Sequence, residues 1–188
     1  MIFESKIGNS GMEKILIIVI HPDLENSVIN KRWMSALQQN PERYHVHDLY
    51  REYPNGMINV AAEQQLIEQY DKIVFQFPFY WFSSPPLFKT WQDEVLTYGW
   101  AYGSKSGFKM EGKKIALAIS VGVAEEIYSA EEKYKYTLEE LTRPFELTFD
   151  YVKADYQPLF AYYDLELNTE ESWIARSVPL YMAYLDAL

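Results

Sequence analysis

The chain has 188 residues, the size of one ordinary globular domain, with 48% hydrophobic and 23% charged, a balance that argues against long disorder. It contains no cysteine, which excludes disulfides, thiolate catalysis, iron–sulfur clusters and cysteine-bound zinc. A net charge of −10, from 27 acidic and 17 basic residues, argues against a large basic face for nucleic acid or an anionic membrane.

The first dozen residues, Met1 to Met12, carry Glu4 and Lys6 and lack the apolar run of a signal peptide. They read as a poorly ordered leader ahead of a single domain over 13–188. The longest uncharged stretch, Ile73 to Phe88, has 16 residues and holds Pro78, Pro85 and Pro86, too short and too broken to span a membrane. A cytoplasmic location is expected.

Lys14 to Ile20 is a continuous β-branched run, the pattern of a strand buried on both faces of a parallel sheet. Ser27 stands where an N-cap would, before a helix whose apolar positions Ile29, Trp33, Ala36 and Leu37 follow the 3.6 period. Tyr44 to Asp48 reads as a short second strand. A turn-rich segment with Pro54, Asn55 and Gly56 then leads to a helix from about Val60 to Tyr70, and Lys72 to Phe77 forms the third strand. Pro85 and Pro86 suit the first turn of a helix that runs to about Val95. A loop holding Gly99, Gly103, Gly107 and Gly112 precedes the fourth strand, Lys113 to Ser120. Thr137 and Glu140 have the spacing of a capping box, with Leu138, Leu141, Phe145 and Phe149 as the buried stripe. A fifth strand is expected around Val152 to Phe160, and a last helix from near Asn168, kinked at Pro179. Strand–helix alternation of this kind makes an α/β doubly wound sheet.

Ligands of such sheets bind beyond the carboxyl ends of the strands, which selects the loops 21–28, 77–86 and 120–128. The dinucleotide fingerprint and the Walker A sequence are both absent, which disfavours those two phosphate-binding modes. In the first loop, a helix opening at Ser27 offers free N–H groups to a phosphate, with His21 alongside; equally, Ser27 merely caps and His21 merely packs. The second loop, Pro78-Phe79-Tyr80-Trp81-Phe82, holds four consecutive aromatics, and successive side chains of an extended segment point to opposite sides. Some of them must therefore cover a ligand or a partner chain, a subunit interface being the competing reading. In the third loop Gly122 permits close backbone approach and Tyr128 offers a phenolic O–H. His45 and His47 share one strand face and read as polar surface rather than a metal site. Glu125-Glu126 and Glu131-Glu132 read as solvated charge. Lys105, Lys109, Lys113 and Lys114 form a basic patch, open to a nucleotide's phosphates or simply surface.

Gln76 to Ser83, Pro85-Pro86-Leu87, Lys89, Trp91 and Gly99-Trp100-Ala101-Tyr102-Gly103 carry a more specific signal. With His21-Pro22, Ser27, Asn30, Asp48-Leu49-Tyr50 and Leu138 to Phe145, they resemble the flavodoxin-like NAD(P)H:quinone oxidoreductases. The similarity runs from Glu13 to Leu188, within the branch of bacterial general stress, modulator-of-drug-activity and potassium-efflux ancillary proteins. It implies a flavodoxin-like three-layer sandwich on a five-stranded parallel sheet of order 2-1-3-4-5. It also implies a flavin, FMN in the bacterial branch and FAD in the animal branch, with NAD(P)H as co-substrate. Carried over by position, His21, Ser27 and Asn30 would surround the flavin phosphate and ribityl chain. Pro78, Phe79, Tyr80, Trp81 and Phe82 would border the isoalloxazine. Ser120, Val121, Gly122 and Val123 stand for the family's Thr-Thr-Gly-Gly turn, which hydrogen-bonds the ring, and Tyr128 matches the tyrosine that stabilises charge as hydride moves.

The activity so implied is two-electron, ping-pong reduction of a quinone or similar flat acceptor, at the boundary of a homodimer. The second expectation is an ancillary subunit docked on a potassium-efflux transporter, with little turnover. Two departures stand out. The turn reads Ser-Val-Gly-Val, and a positive φ at Val123 would be strained. Glu131 to Lys135 also holds no counterpart of the animal branch's histidine.

Overall fold

The computed structural model describes residues 14–105 and 107–188; the leader expected at 1–12 lies outside them. Strands β1 (Ile15–Val19), β2 (Tyr44–Asp48), β3 (Lys72–Pro78) and β4 (Lys114–Ser120) pair in parallel. The fifth position is shared by β5 (Asp155–Tyr156) and β6 (Phe160–Tyr162), both parallel to β4. The order is β2-β1-β3-β4-β5, with β6 alongside β4, as the resemblance implies. The expected single strand over 152–160 is thus two short ones, and Val152 caps the preceding helix instead. Pro158 lies in the break, where it has no N–H to give a ladder.

Among the described residues six helices cover the sheet: α1 (Asn30–Gln38), α2 (Leu49–Glu52), α3 (Val60–Glu68), α4 (Pro86–Val95), α5 (Leu138–Tyr151) and α6 (Glu171–Ala187). Alternation along the strands splits the core into two layers. Leu16, Ile18, Phe75, Phe77, Leu117 and Ile119 face α3, α4 and α5, while Ile17, Val19, Val74, Ala116 and Ala118 face α1 and α6. Much of the aromatic content fills these layers: Phe88 stacks on Phe75 and Phe145, and Trp33 lies against Phe160 and Tyr181. The capping box forms as expected, Thr137 Oγ1 accepting from the Glu140 amide and Glu140 Oε2 from the Thr137 amide. α6 begins at Glu171 and continues through Pro179 as one helix. No helix of the described residues is long and apolar enough to cross a membrane.

One charge is buried in the first of these layers. Glu63, 1% exposed, accepts from His47 Nε2, Tyr53 O–H and Trp91 Nε1, each at 2.8 Å. Its neighbour on the same strand face, His45, pairs with the Tyr70 hydroxyl. The two histidines thus fasten β2 to α3 and to Tyr70 just beyond it. Burial alone would push the Glu63 carboxyl up; the hydrogen bond and charge of His47, with Trp91 and Tyr53, outweigh it and hold the carboxyl below its ordinary value. A depressed carboxyl stabilises the fold above its unfolded value, and that stability drains away as pH falls through the folded one. Glu63→Ala leaves three donors unpaired; it is expected to cost about 3–5 kcal/mol in urea unfolding at neutral pH. A loss below about 1 kcal/mol would mean the cluster is solvated.

Candidate functional site

Beyond the carboxyl ends of β1, β3 and β4 lies a cleft of two lobes. One, of about 430 Å³, is lined by His21, Asp23, Asn26, Ser27, Val28, Ile29, Asn30, Pro78 and Ser120. The other, of about 440 Å³, is lined by Trp81, Phe82, Val123, Tyr128 and Tyr134. Phe79, Tyr80, Gly122 and Glu166 border both. A cavity of about 520 Å³ between α4 and α5 sits on the flank of a helix layer, away from the strand ends where such sheets bind ligands.

The first lobe differs locally from the sequence expectation. α1 opens at Asn30, not at Ser27; residues Leu24–Asn26 form a 3₁₀ turn, and Ser27 Oγ accepts from the Asn30 amide at 3.1 Å. The Val28 and Ile29 amides make no hydrogen bond among the described residues. His21 Nδ1 accepts from the Asp23 amide at 3.1 Å, which puts the ring proton on Nε2. Burial pushes the imidazole down from its ordinary value against the pull of Asp23 and Asp48, so it is a neutral donor at neutral pH. The nearby acids are engaged: Asp23 accepts from Asn26 Nδ2, and Glu25 pairs with Lys31 at 2.8 Å.

Asn30 borders this lobe, but its side chain is spent. Nδ2 donates to Ser120 Oγ at 2.8 Å, and Gln76 Nε2 donates to Asn30 O at 3.1 Å and to Oδ1 at 3.3 Å. Asn30, 1% exposed, thus also braces α1, β3 and β4 where it borders the lobe, as a buried amide must find partners. Pro78 lines this polar lobe, not the aromatic one.

The aromatic lobe rests on a strained turn. Tyr80 and Ser83 exchange both backbone hydrogen bonds, leaving Trp81 at φ 48° and Phe82 at φ 61°. Two residues at positive φ between such a pair are the mark of a type I′ turn, which favours Asn-Gly. Trp-Phe there costs energy, and such strain clusters at ligand sites. The turn leaves Trp81 94% exposed, and the Trp81 and Phe82 amides without acceptors among the described residues.

On the facing turn, Val123 does not take a positive φ, so the strain foreseen there does not arise. Val121 lines neither lobe. Its side chain is fully buried in the core and its amide donates to Tyr162 O at 2.8 Å, extending the β4–β6 ladder. Tyr128 is 9% exposed; burial, then Tyr134 and Glu166, push its phenol up to about 12. Its hydroxyl keeps its proton at neutral pH and has no hydrogen-bond partner among the described residues.

Three lining residues, Tyr134, Leu165 and Glu166, escaped the sequence reading. Tyr134, with its ring centroid 5.1 Å from that of Tyr128, comes from the charged stretch Glu131 to Lys135. Glu166 comes from a loop with no motif. The expected lysine patch lies elsewhere: Lys113 and Lys114 are at the start of β4, the end remote from the cleft, and donate to Tyr70 O and Leu188 O.

A family model for the flavodoxin-like fold matches residues 13–179. The chain belongs to this flavodoxin-like family. Among curated relatives, YrkL of Bacillus subtilis (strain 168), described as an uncharacterized NAD(P)H oxidoreductase, is 49% identical and covers 93% of this chain and 98% of its own. KefG of Pectobacterium atrosepticum, a glutathione-regulated potassium-efflux system ancillary protein, is 37% identical over 84% of this chain and 85% of its own. Among solved structures, general stress protein 14 of Treponema denticola in complex with FMN has a TM-score of 0.87 and 48% identity, covering 93% of this chain and 98% of that one. An NADPH-quinone reductase from P. pentosaceus has a TM-score of 0.81 and 32% identity, covering 92% and 97%.

The strained turn gives this family member a direct test. Asn accepts a left-handed conformation far better than Trp, and Trp81 loses almost no packing when replaced. Trp81→Asn is expected to raise unfolding stability by about 1 kcal/mol, read as a higher midpoint in thermal or urea denaturation. A lower midpoint would show that the indole stabilises the free chain.

Proposed function

We propose that the chain is an FMN-dependent NAD(P)H oxidoreductase that reduces quinones or similar flat acceptors. The observation that carries this reading is the pairing of lobes in one cleft: phosphate-type donors at one end, an aromatic slot with unspent backbone amides at the other. His21 Nε2, the Ser27 hydroxyl and the Val28 and Ile29 amides fit a phosphate monoester. Phe79, Tyr80, Phe82 and Tyr128 fit a planar ring, and the Trp81, Phe82, Gly122 and Val123 amides fit its heteroatoms. The bare Cα of Gly122 leaves room at the floor for the Glu166 side chain, which a Cβ there would meet. The FMN-bound relative supports FMN over FAD, and the names of the YrkL and quinone-reductase relatives support the nicotinamide and quinone assignments.

When bound, the flavin supplies hydride chemistry that no side chain can perform. The protein's part is to hold the ring against Phe79 and Tyr80, to exclude water with the aromatic wall, and to offer a proton. Tyr128 is suited to that last role, because its high pKa keeps the O–H intact to donate to an acceptor's carbonyl oxygen. No nucleotide-binding domain is needed if nicotinamide and quinone use the aromatic slot in turn, which is the basis of a ping-pong scheme. The exposed Trp81 and its neighbours Tyr80 and Phe82 suit a homodimer whose second copy closes the slot.

KefG's similarity favours a second reading, an ancillary subunit of a potassium-efflux system with little turnover. Turnover separates the two. The enzyme reading expects FMN-loaded protein to be bleached anaerobically by NAD(P)H, recoloured by a quinone, and to give parallel double-reciprocal plots, with the active species sedimenting at twice the chain mass. Tyr128→Phe is expected to retain FMN while lowering kcat by up to about a hundredfold. Loaded protein that NAD(P)H leaves coloured would contradict the enzyme reading and leave the ancillary one.

A further inference from the structure

Glu166 stands at the waist between the two lobes. A Cβ built on Gly122 would meet its Oε1 at 2.6 Å, so the carboxylate lies directly over the Gly122 backbone. Its own position is set by the sheet: Glu166 N donates to Gly122 O at 2.8 Å, and Asp164 N to Val123 O at 2.9 Å. These bonds run the segment after β6 alongside the turn after β4, so the placement follows from strand pairing and not from a free rotamer alone.

The carboxylate is uncommitted. It has no ion pair and no side-chain hydrogen bond among the described residues, whereas Asp23 and Glu25 in the neighbouring loop are both engaged. A carboxylate only accepts hydrogen bonds, and it repels anions. A ligand lying across both lobes must therefore present hydrogen-bond donors, not phosphate, at this point.

The geometry points to Glu166 as a specificity-determining residue that accepts hydrogen bonds from the hydroxylated chain joining ring to phosphate. This assignment rests on the flavin reading and deepens it: the polar lobe takes the phosphate, the aromatic lobe the ring, and Glu166 the polyol between them. It requires Gly122, because any side chain there would occupy the space the carboxylate uses.

The test is a set of equilibrium titrations, by flavin fluorescence, of flavin-free wild type, Glu166→Ala and Glu166→Gln. Three ligands are used: FMN, riboflavin (no phosphate) and lumiflavin (no hydroxylated chain). Charge-assisted hydrogen bonds are the strong ones, so Glu166→Ala is expected to weaken FMN and riboflavin by about tenfold to a hundredfold. Glu166→Gln, which keeps a neutral acceptor, should fall between, and lumiflavin affinity should not change in either variant. The side chain is exposed and unpartnered, so both variants should unfold at the wild-type midpoint. FMN and riboflavin affinities within twofold of wild type, or a lumiflavin loss equal to theirs, would overturn the role of Glu166 and leave the flavin reading standing. Wild type that takes up none of the three ligands would overturn both.

Discussion

Three buried amide and hydroxyl groups hold the cleft in shape. Asn30 at the first residue of α1, Gln76 in β3 and Ser120 at the end of β4 are all almost fully buried, and Asn30 bonds to both of the others. Each bond contributes about 1 kcal/mol net, but losing a partner leaves a buried polar group unsatisfied at about 1–3 kcal/mol. That asymmetry fixes the start of α1 relative to the ends of two adjacent strands. The polar lobe is the gap between these pieces, and the aromatic turn follows β3 directly. The site is thus set by secondary structure, with loops only finishing it.

From that brace the three sides of the cleft diverge in character. The α1 side is relaxed: its donors come from ordinary turn geometry and a neutral imidazole. The β3 side stores strain, two bulky residues at positive φ that open outwards. The β4 side is continuous with the sheet, since the 121–123 turn still pairs with the chain after β6. A rigid floor, a strained wall and a polar end are what a flat, phosphorylated ligand would need in order to be held in one orientation.

The sheet was legible because parallel strands buried on both faces read as apolar runs, unbroken in β1 and β4 and broken in β3 by Gln76 alone. The capping box at Thr137 and the Pro85-Pro86 start of α4 were legible for similar local reasons. The fifth strand was not, because the interruption at Pro158 depends on pairing with β4. Assigning α1 to Ser27 failed because a serine that closes a turn and one that caps a helix use the same hydrogen bond. At the site, the composition of the aromatic segment showed that something must be left uncovered, but not that its turn would hold Trp and Phe at positive φ. Val121 lines neither lobe, and a sequence match cannot say that its amide is spent on a ladder. Tyr134 and Glu166 arrive through tertiary contacts from segments whose local sequence says only that they are polar.

The central claim is that one ligand spans both lobes, over Gly122. A crystal structure of the chain grown with FMN tests it most directly. The account predicts one FMN per chain, its phosphate beside His21 and Ser27 and its ring in the aromatic lobe against Phe79 and Tyr80. FMN found instead in the cavity between α4 and α5, or a cleft left empty at saturating FMN, would contradict it.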